Sequence, residues 1–146
     1  MKILKIQALR GPNLWSIRRT KLIQMRLDLE ELEERPTDKI EGFRERIEAL
    51  LPSLIEHRCS EGCYGGFFQR VDRGTWMGHV IEHIALEIQT LAGMDVGFGR
   101  TRETKTPGVY NVVFNYLEEK VGVYAAKAAV RIAEALISGE DYDLGE

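Results

Sequence analysis

Residues 75–93 read TWMGHVIEHIALEIQTLAG, and this stretch decides the fold. Its apolar side chains recur at helical spacing, so they form one stripe made of Met77, Ile81, Ile84, Ile88 and Leu91. The spacing predicts an amphipathic helix over 76–92, with Thr75 as its N-cap and Gly93 as its stop. We expect the stripe to pack against a sheet.

The segments on either side of this helix alternate as strands do. Apolar and polar residues exchange with a period of two in 2–9, 21–29 and 109–116, and 97–103 is predicted as the strand that precedes the last of these. Gly11-Pro12-Asn13 ends the first as a turn, and Lys105-Thr106-Pro107-Gly108 joins the last two into a hairpin. Four such strands, two before the helix and two after it, predict a mostly antiparallel sheet.

Two further helices are predicted around the central one. Residues 40–51 carry apolar side chains at helical spacing, and Pro52 either kinks this helix or begins a short one through Ile55. The last helix is predicted over 121–137. The order ββ-α-α-ββ-α predicts an α+β fold, a mostly antiparallel sheet with helices packed on one face.

Composition fits a single domain. The chain has 146 residues, of which 44% are hydrophobic and 29% charged, so we predict one domain over 1–139 and an acidic, flexible tail over 140–146. No apolar run approaches the ~20 residues of a membrane span, and no secretory signal is recognisable. The expected location is therefore the cytoplasm. Cys59 and Cys63, in a glycine-rich loop, are predicted to be reduced thiols.

Charge is unevenly distributed along the chain. The first 27 residues hold seven basic groups and no acidic one, whereas residues 28–61 hold eleven acidic groups. The net charge is nevertheless −3, and no nucleic-acid-binding motif accompanies the basic segment, so nucleic acid is not a predicted partner. Neither a phosphate-binding GxxxxGK[ST] loop nor a GxGxxG turn occurs, so no nucleotide is expected in this chain.

His79, Glu82 and His83 form an HxxEH motif on the central helix. Two imidazoles one turn apart can converge on one Zn²⁺, and the adjacent carboxylate can take a proton from a metal-activated water. This pattern is the inverted zincin signature, with Glu82 as the catalytic base. A third ligand is required, for which Glu87 is the first candidate; the alternatives are Glu118, Glu134 and Glu56.

A simpler interpretation of the motif is a solvent-exposed helix face that carries His and Glu for solubility. On a helical wheel the two histidines lie opposite the apolar stripe, away from the predicted core. Two other groups of charged residues can also be interpreted either as binding sites or as solvent-exposed surface. Arg100 and Arg102 alternate on one strand face and could bind carboxylates, while Glu30 and Glu31, within an acidic run from Asp28 to Glu34, could bind guanidinium groups.

Long blocks of this sequence resemble the N-terminal domain of cyanophycin synthetases. They are the HxxEH helix and three others: KILKIQALRGPNLWS, MRLDLEELEERPT and GFGRTRETKTPGVYNVVFNYLEE. The resemblance runs from Lys2 to about Ile137. Such synthetases build cyanophycin, a poly-aspartate chain with arginine on each aspartate side chain, and their ATP-grasp and Mur-ligase-like domains perform the two ATP-dependent ligations. This chain contains neither domain, so it is not expected to be a ligase by itself.

The resemblance implies polymer capture near the ligase sites. In some members it also implies a hidden metallopeptidase-like site at HxxEH, which cuts cyanophycin internally to make primers; here the motif residues are His79, Glu82 and His83. Three interpretations stay open: a zinc hydrolase, a polymer-binding docking module, and a structural piece that supports assembly of the full enzyme into a homo-oligomer.

Overall fold

The structure is a computed structural model that describes residues 1–57 and 64–144. Its strands are β1 (Lys2–Leu9), β2 (Leu22–Asp28), β3 (Gly99–Glu103) and β4 (Val109–Asn115). Its α-helices are α1 (Phe43–Leu50), α2 (Gly66–Arg73), α3 (Met77–Leu91) and α4 (Glu119–Ser138). Short 3₁₀ helices span Glu30–Glu34, Thr37–Lys39 and Pro52–Glu56. None of the helices in the described ranges has the length and hydropathy that crossing a membrane requires.

All strands pair antiparallel in one sheet with the order β1-β2-β4-β3. The strand β3 therefore lies at one edge, paired with β4 alone, so its other side carries no strand in the described part of the chain. The register places Met25 of β2 opposite Val112 of β4, and Val112 opposite Thr101 of β3. One face of the sheet is thus shared by these three positions.

The core lies between this face and the helices. Ile23, Met25 and Phe114 are fully buried, as is the row of alanines along α4 that includes Ala125 and Ala129. Gly122 lets α4 approach the sheet closely, because a Cβ there would lie 2.9 Å from Tyr116 and 3.0 Å from Ile23. Small residues on α4 therefore pack closely against larger side chains on the sheet. The architecture is the α+β fold expected from the sequence, with helices on one face.

The structure corrects several predicted details of the helices. The helix α2 was not anticipated, because its eight residues follow a glycine-rich stretch and give too short a period to recognise. Thr75 does not cap α3: Trp76 occupies the N-cap position, and no side chain caps it. Within the apolar stripe, Met77, Ile81 and Ile84 are fully buried, but Leu91 is 58% exposed because it lies at the end of α3, where Thr90 and Ala92 are exposed as well.

The acidic run that follows β2 forms the 3₁₀ helix Glu30–Glu34. Cys59 and Cys63 lie outside the described residues, as does the end of the predicted tail.

Candidate active site

The HxxEH motif lies on α3, on the side opposite its apolar stripe, but this side is buried and not exposed to solvent. Glu82, His83 and Glu87 are 6%, 7% and 2% exposed. The unpredicted helix α2 provides the cover, since the ring of Phe67 packs 4.5 Å from that of His83 and 6.0 Å from that of His79, centroid to centroid. The simpler interpretation of a solubilising face is therefore wrong. Burying so many polar groups costs free energy unless they pair with one another.

The histidines do pair, and in a chain. The Nε2 atoms of His79 and His83 are 3.1 Å apart. The other nitrogen of each ring has its own partner: Nδ1 of His79 lies 3.0 Å from Oγ1 of Thr75, and Nδ1 of His83 lies 2.8 Å from Nδ1 of His57. Thr75 thus contacts the motif one turn later instead of capping the helix.

These donors fit part of a zinc site. Two nitrogens bound to one tetrahedral Zn²⁺ at 2.0–2.1 Å lie about 3.4 Å apart, close to the separation of the Nε2 atoms of His79 and His83. No three histidine, cysteine, aspartate or glutamate side chains of the described residues converge as a complete ligand set. The reason is that His83 turns Nε2 to His79 but Nδ1 to His57, so the three rings form a line.

Glu82 is held beside this pair by the edge strand. Its Oε1 accepts a 2.7 Å hydrogen bond from Oγ1 of Thr101, and its Oε2 lies 3.9 Å from Nε2 of His83. Gly99 leaves the space for the carboxyl group, because a Cβ there would lie 2.6 Å from Cγ and Oε2 of Glu82. Burial raises the pKa of Glu82 to about 7, although the Thr101 hydrogen bond and the charge of Arg102 oppose the rise.

Burial has the opposite effect on the histidines, since it disfavours their charged form. It lowers the pKa of His79 to about 4, with help from the positive charge of Arg70. Burial also lowers the pKa of His83 well below its usual value, with further contributions from His79 and His57. Both rings are therefore neutral at pH 7, the state that a metal ligand needs.

Glu87 lies one turn beyond His83 and reaches it only through His57. Its Oε1 is 3.4 Å from Nε2 of His57, and its other oxygen accepts a hydrogen bond from Ser53. Burial would raise the pKa of Glu87, but the hydrogen bonds from His57 and Ser53 outweigh it and hold that pKa below its usual value. Glu87 as third metal ligand stays a prediction. We refer to His57, His79, Glu82, His83 and Glu87 as the α3 cluster.

A cleft of about 1260 Å³ opens onto the α3 cluster. Arg100 and Arg102 line it together with Trp76, so the structure brings the predicted arginines and the predicted metal site into one cavity. Of the alternative third ligands, Glu56 lines the cleft, whereas Glu134 lies 3.9 Å from the amino group of Met1 and lines a separate cavity.

The predicted acidic residues lie elsewhere. Glu30 pairs with the amino group of Met1 at 3.2 Å, and Glu31 lines the second cavity beside Arg35. Neither borders the cleft at α3. Binding of guanidinium groups by Glu30 and Glu31 stays a prediction, for a site separate from the cleft.

Sequence reasoning missed three residues of the site. They are His57, Gly99 and Thr101. The only sequence signal for the last two was their alternation with Arg100 and Arg102 on one strand, which puts them on the opposite face. Nothing local predicts that His57, 26 residues before His83, meets it.

The chain is similar to known proteins over its full length. The family model for the cyanophycin synthase-like N-terminal domain matches residues 24–138. Cyanophycin synthetases from Geminocystis herdmanii, Synechocystis sp. and Trichormus variabilis are 62%, 61% and 60% identical over all 146 residues. The chain spans only 16–17% of the length of these relatives.

Proposed function

The chain belongs to the cyanophycin synthase-like N-terminal domain family, and on that premise we propose that it holds cyanophycin and hydrolyses it internally at the α3 cluster. The observation that carries the hydrolase is the position of Glu82. It is a buried carboxyl group with a pKa of about 7, 3.9 Å from Nε2 of a neutral histidine and at the wall of a large cleft. A general base works best with a pKa near the operating pH.

In the proposed reaction the chain's residues have separate roles. His79 and His83 would hold Zn²⁺ through their Nε2 atoms, and Glu87 is the predicted third ligand. When bound, the metal supplies a water of lowered pKa and a positive charge for the developing oxyanion. Glu82 takes the proton of the attacking water and passes it to the leaving amine, so the amide bond between two aspartates is broken and no other reactant is consumed. Arg100, at the cleft wall, can add a second positive charge for the oxyanion.

The open face of the sheet supports the binding part of the proposal. Lys5 lies opposite Arg26, Arg26 opposite Asn111, and Asn111 opposite Arg102, so three cations stand in one row across four strands. Arg100 stands one row away on the same face. No described acidic residue forms an ion pair with any of these four cations.

Such a row is costly to a sheet, because like charges on opposed residues repel each other. It suits a ligand that carries many carboxylates, and each repeat of cyanophycin has one on its arginine. One end of this row, Arg102, lies on the strand β3 that also borders the cleft, so a polymer bound on the open face can pass round the edge to Glu82. Each arginine of the row is a candidate contact for a carboxylate.

The remaining domains of the synthetases are the natural partners of this one. We propose that the ATP-grasp and Mur-ligase-like domains carry out the ligations and that this domain supplies primers to them. A non-catalytic docking module, or support for a homo-oligomer, is the alternative. The α3 cluster supports neither alternative, because neither a docking module nor an oligomer-supporting domain needs neutral histidines next to a carboxyl group whose pKa is raised.

The test is to incubate the 146-residue chain with cyanophycin and follow polymer length. The wild-type protein is expected to contain Zn²⁺ and to shorten the polymer, chelator should stop this, and added Zn²⁺ should restore it. Glu82→Gln should keep the metal and lose turnover by about 10²–10⁴-fold, the usual contribution of a general base. His83→Ala should lose both. If wild type binds zinc stoichiometrically and leaves the polymer at full length, the domain is a binding module.

A further inference from the structure

His57 joins the α3 cluster from a different element. It follows the 3₁₀ helix Pro52–Glu56, and its backbone is fixed on both sides, because its N–H donates to Leu54 at 3.0 Å and its carbonyl accepts from Phe67 at 3.0 Å. Its side chain is 17% exposed. Both ring nitrogens face polar atoms: Nδ1 faces Nδ1 of His83, and Nε2 faces a carboxylate oxygen of Glu87.

The contacts form one continuous line: Ser53, Glu87, His57, His83, His79 and Thr75. Its direction can be derived for neutral rings, each of which has one N–H donor and one bare acceptor nitrogen. The carboxylate of Glu87 can only accept, so Nε2 of His57 must carry its proton. A neutral His57 then has a bare Nδ1, which must accept from Nδ1–H of His83.

The same reasoning continues along the line. Because Nδ1 of His83 carries the proton, its Nε2 is bare and faces His79. In the metal-free protein, Nε2–H of His79 donates to this atom, and Nδ1 of His79 accepts from the hydroxyl of Thr75. Each interior hydrogen bond has one donor and one acceptor, and no other arrangement of neutral rings satisfies all of them.

We propose that His57, anchored by Glu87 and Ser53, is a positioning residue that fixes His83 in the tautomer whose Nε2 lone pair points into the gap beside His79 and Glu82. Metal-bound histidines commonly donate their other ring N–H to a partner that orients them. Here the partner is a second imidazole, and a carboxylate stands behind it. His57 acts through His83 and does not touch the reacting atoms, because it contacts the ring nitrogen that faces away from Glu82.

The role of the two motif histidines is then unequal. His83 is already in the form that offers Nε2. His79 must move its proton from Nε2 to Nδ1 before its Nε2 can bind a metal, with one proton lost to solvent and one gained. The hydroxyl of Thr75 can serve both forms, since it donates to a bare Nδ1 and accepts from a protonated one.

The first experiment needs no metal. Long-range ¹H–¹⁵N NMR correlations on the metal-free 146-residue chain at pH 8 report which nitrogen of each ring carries the proton. We expect Nδ1–H on His83, Nε2–H on His57 and Nε2–H on His79. An Nε2–H tautomer on His83 overturns the inference, whether or not the protein proves to bind zinc.

The second experiment measures Zn²⁺ affinity by competition with a chelator. His57→Phe keeps a ring beside Phe67 but leaves Nδ1–H of His83 without its acceptor, and it should lower the affinity by about 10–100-fold, the usual cost of losing an orienting partner. His57→Gln supplies an amide with both an acceptor and a donor and should recover much of the loss. Unchanged affinity in His57→Phe overturns the inference.

Cobalt separates positioning from ligation. The visible spectrum of the Co²⁺-loaded chain reports the type and number of ligands. The His57→Phe spectrum should match that of wild type, because the same ligands remain. A changed spectrum makes His57 a ligand and overturns its positioning role. This metal part rests on the proposed function: a wild-type chain that binds neither Zn²⁺ nor Co²⁺ ends the proposed function, while the tautomer measurement still decides the hydrogen-bond chain.

Discussion

The carboxyl group of Glu82 has almost no freedom of position. Thr101 holds one oxygen by a 2.7 Å hydrogen bond, and the same hydroxyl lies 3.3 Å from the carbonyl oxygen of Gly78, one turn earlier on α3. The backbone of Gly99 forms the wall on the other side. A base held this firmly is sensitive to a single methyl group beside it, since ångström-scale misplacement is costly in catalysis.

Gly99→Ala tests that sensitivity. The new Cβ would lie 2.6 Å from Cγ and Oε2 of Glu82, so the carboxyl group must move. The backbone of Gly99 is not in the left-handed region, so alanine is acceptable to the strand itself. We expect cleavage of cyanophycin to fall by about 100-fold. Zn²⁺ content should stay at the wild-type level, because neither histidine is displaced.

The matched control is Gly97→Ala, two residues away. A Cβ at Gly97 meets nothing within 4 Å, and its backbone is also outside the left-handed region. Its turnover should equal that of wild type. If Gly99→Ala is as active as Gly97→Ala, the position of Glu82 does not limit the reaction.

At the scale of elements, α3 is buried on two sides that differ in chemistry. One side places apolar residues in the core, and the other carries the α3 cluster, which Phe67 of α2 and Thr101 of β3 contact. Replacing Ile84, which is fully buried, with alanine should lower the free energy of unfolding by about 2–5 kcal/mol, from lost burial and the cavity left behind. Denaturant unfolding followed by circular dichroism measures this.

Leu91 provides the comparison, because it belongs to the same sequence stripe but is 58% exposed. Leu91→Ala should change the free energy of unfolding by about 0.5 kcal/mol or less, as surface substitutions do. Equal losses in the two variants would mean that the exposed end of α3 is covered in solution.

The contrast between Ile84 and Leu91 shows how much of the structure can be predicted from the sequence. Periodicity correctly predicted α3, the hairpin of β3 and β4, and the one-sided α+β sheet, because these depend on local spacing. It could not predict that the last turn of α3 leaves the core, since the apolar spacing continues unchanged through Leu91. It also missed α2, whose eight residues give barely two turns, and with it the burial of the motif.

The site was predictable to a similar depth. The positions of His79, Glu82 and His83 on one helix follow from their spacing, and the structure brings Arg100 and Arg102 to the same cleft. His57 could not be found, because its contact with His83 depends on how a 3₁₀ helix and α2 fold back over α3. Nothing in the sequence distinguishes Glu87 as a ligand from Glu87 as the anchor of His57.

On the scale of the whole molecule, the sheet separates two surfaces that meet at β3. Gly99, Thr101 and Glu103 alternate toward α3, while Arg100 and Arg102 alternate toward the open face. The guanidinium of Arg100 also lies 5.6 Å from the ring centre of Phe98, with that of Arg19 at 4.8 Å from the same ring. The edge strand is therefore the place where a polymer held by cations would meet the cleft.

Polymer binding by this open face should depend on its unpaired cations. The double variant Arg100→Ala/Arg102→Ala should weaken binding of cyanophycin by about twofold to thirtyfold, as expected for two exposed ionic contacts. The affinity of wild type should also fall as salt rises, because screening shortens electrostatic interactions to about 8 Å at 0.15 M. Binding of the immobilised polymer at several salt concentrations measures both effects.

The control removes the same charge from another surface. Lys127 and Arg131 are exposed on α4, which lies on the other side of the sheet, so Lys127→Ala/Arg131→Ala changes the net charge equally. This variant should bind like wild type and keep its salt dependence. If both double variants lose affinity equally, net charge governs binding, and the row on the sheet has no special part in it. If only the β3 variant loses affinity, the carboxylates of the polymer are bound at the edge strand, next to the base that is proposed to cut it.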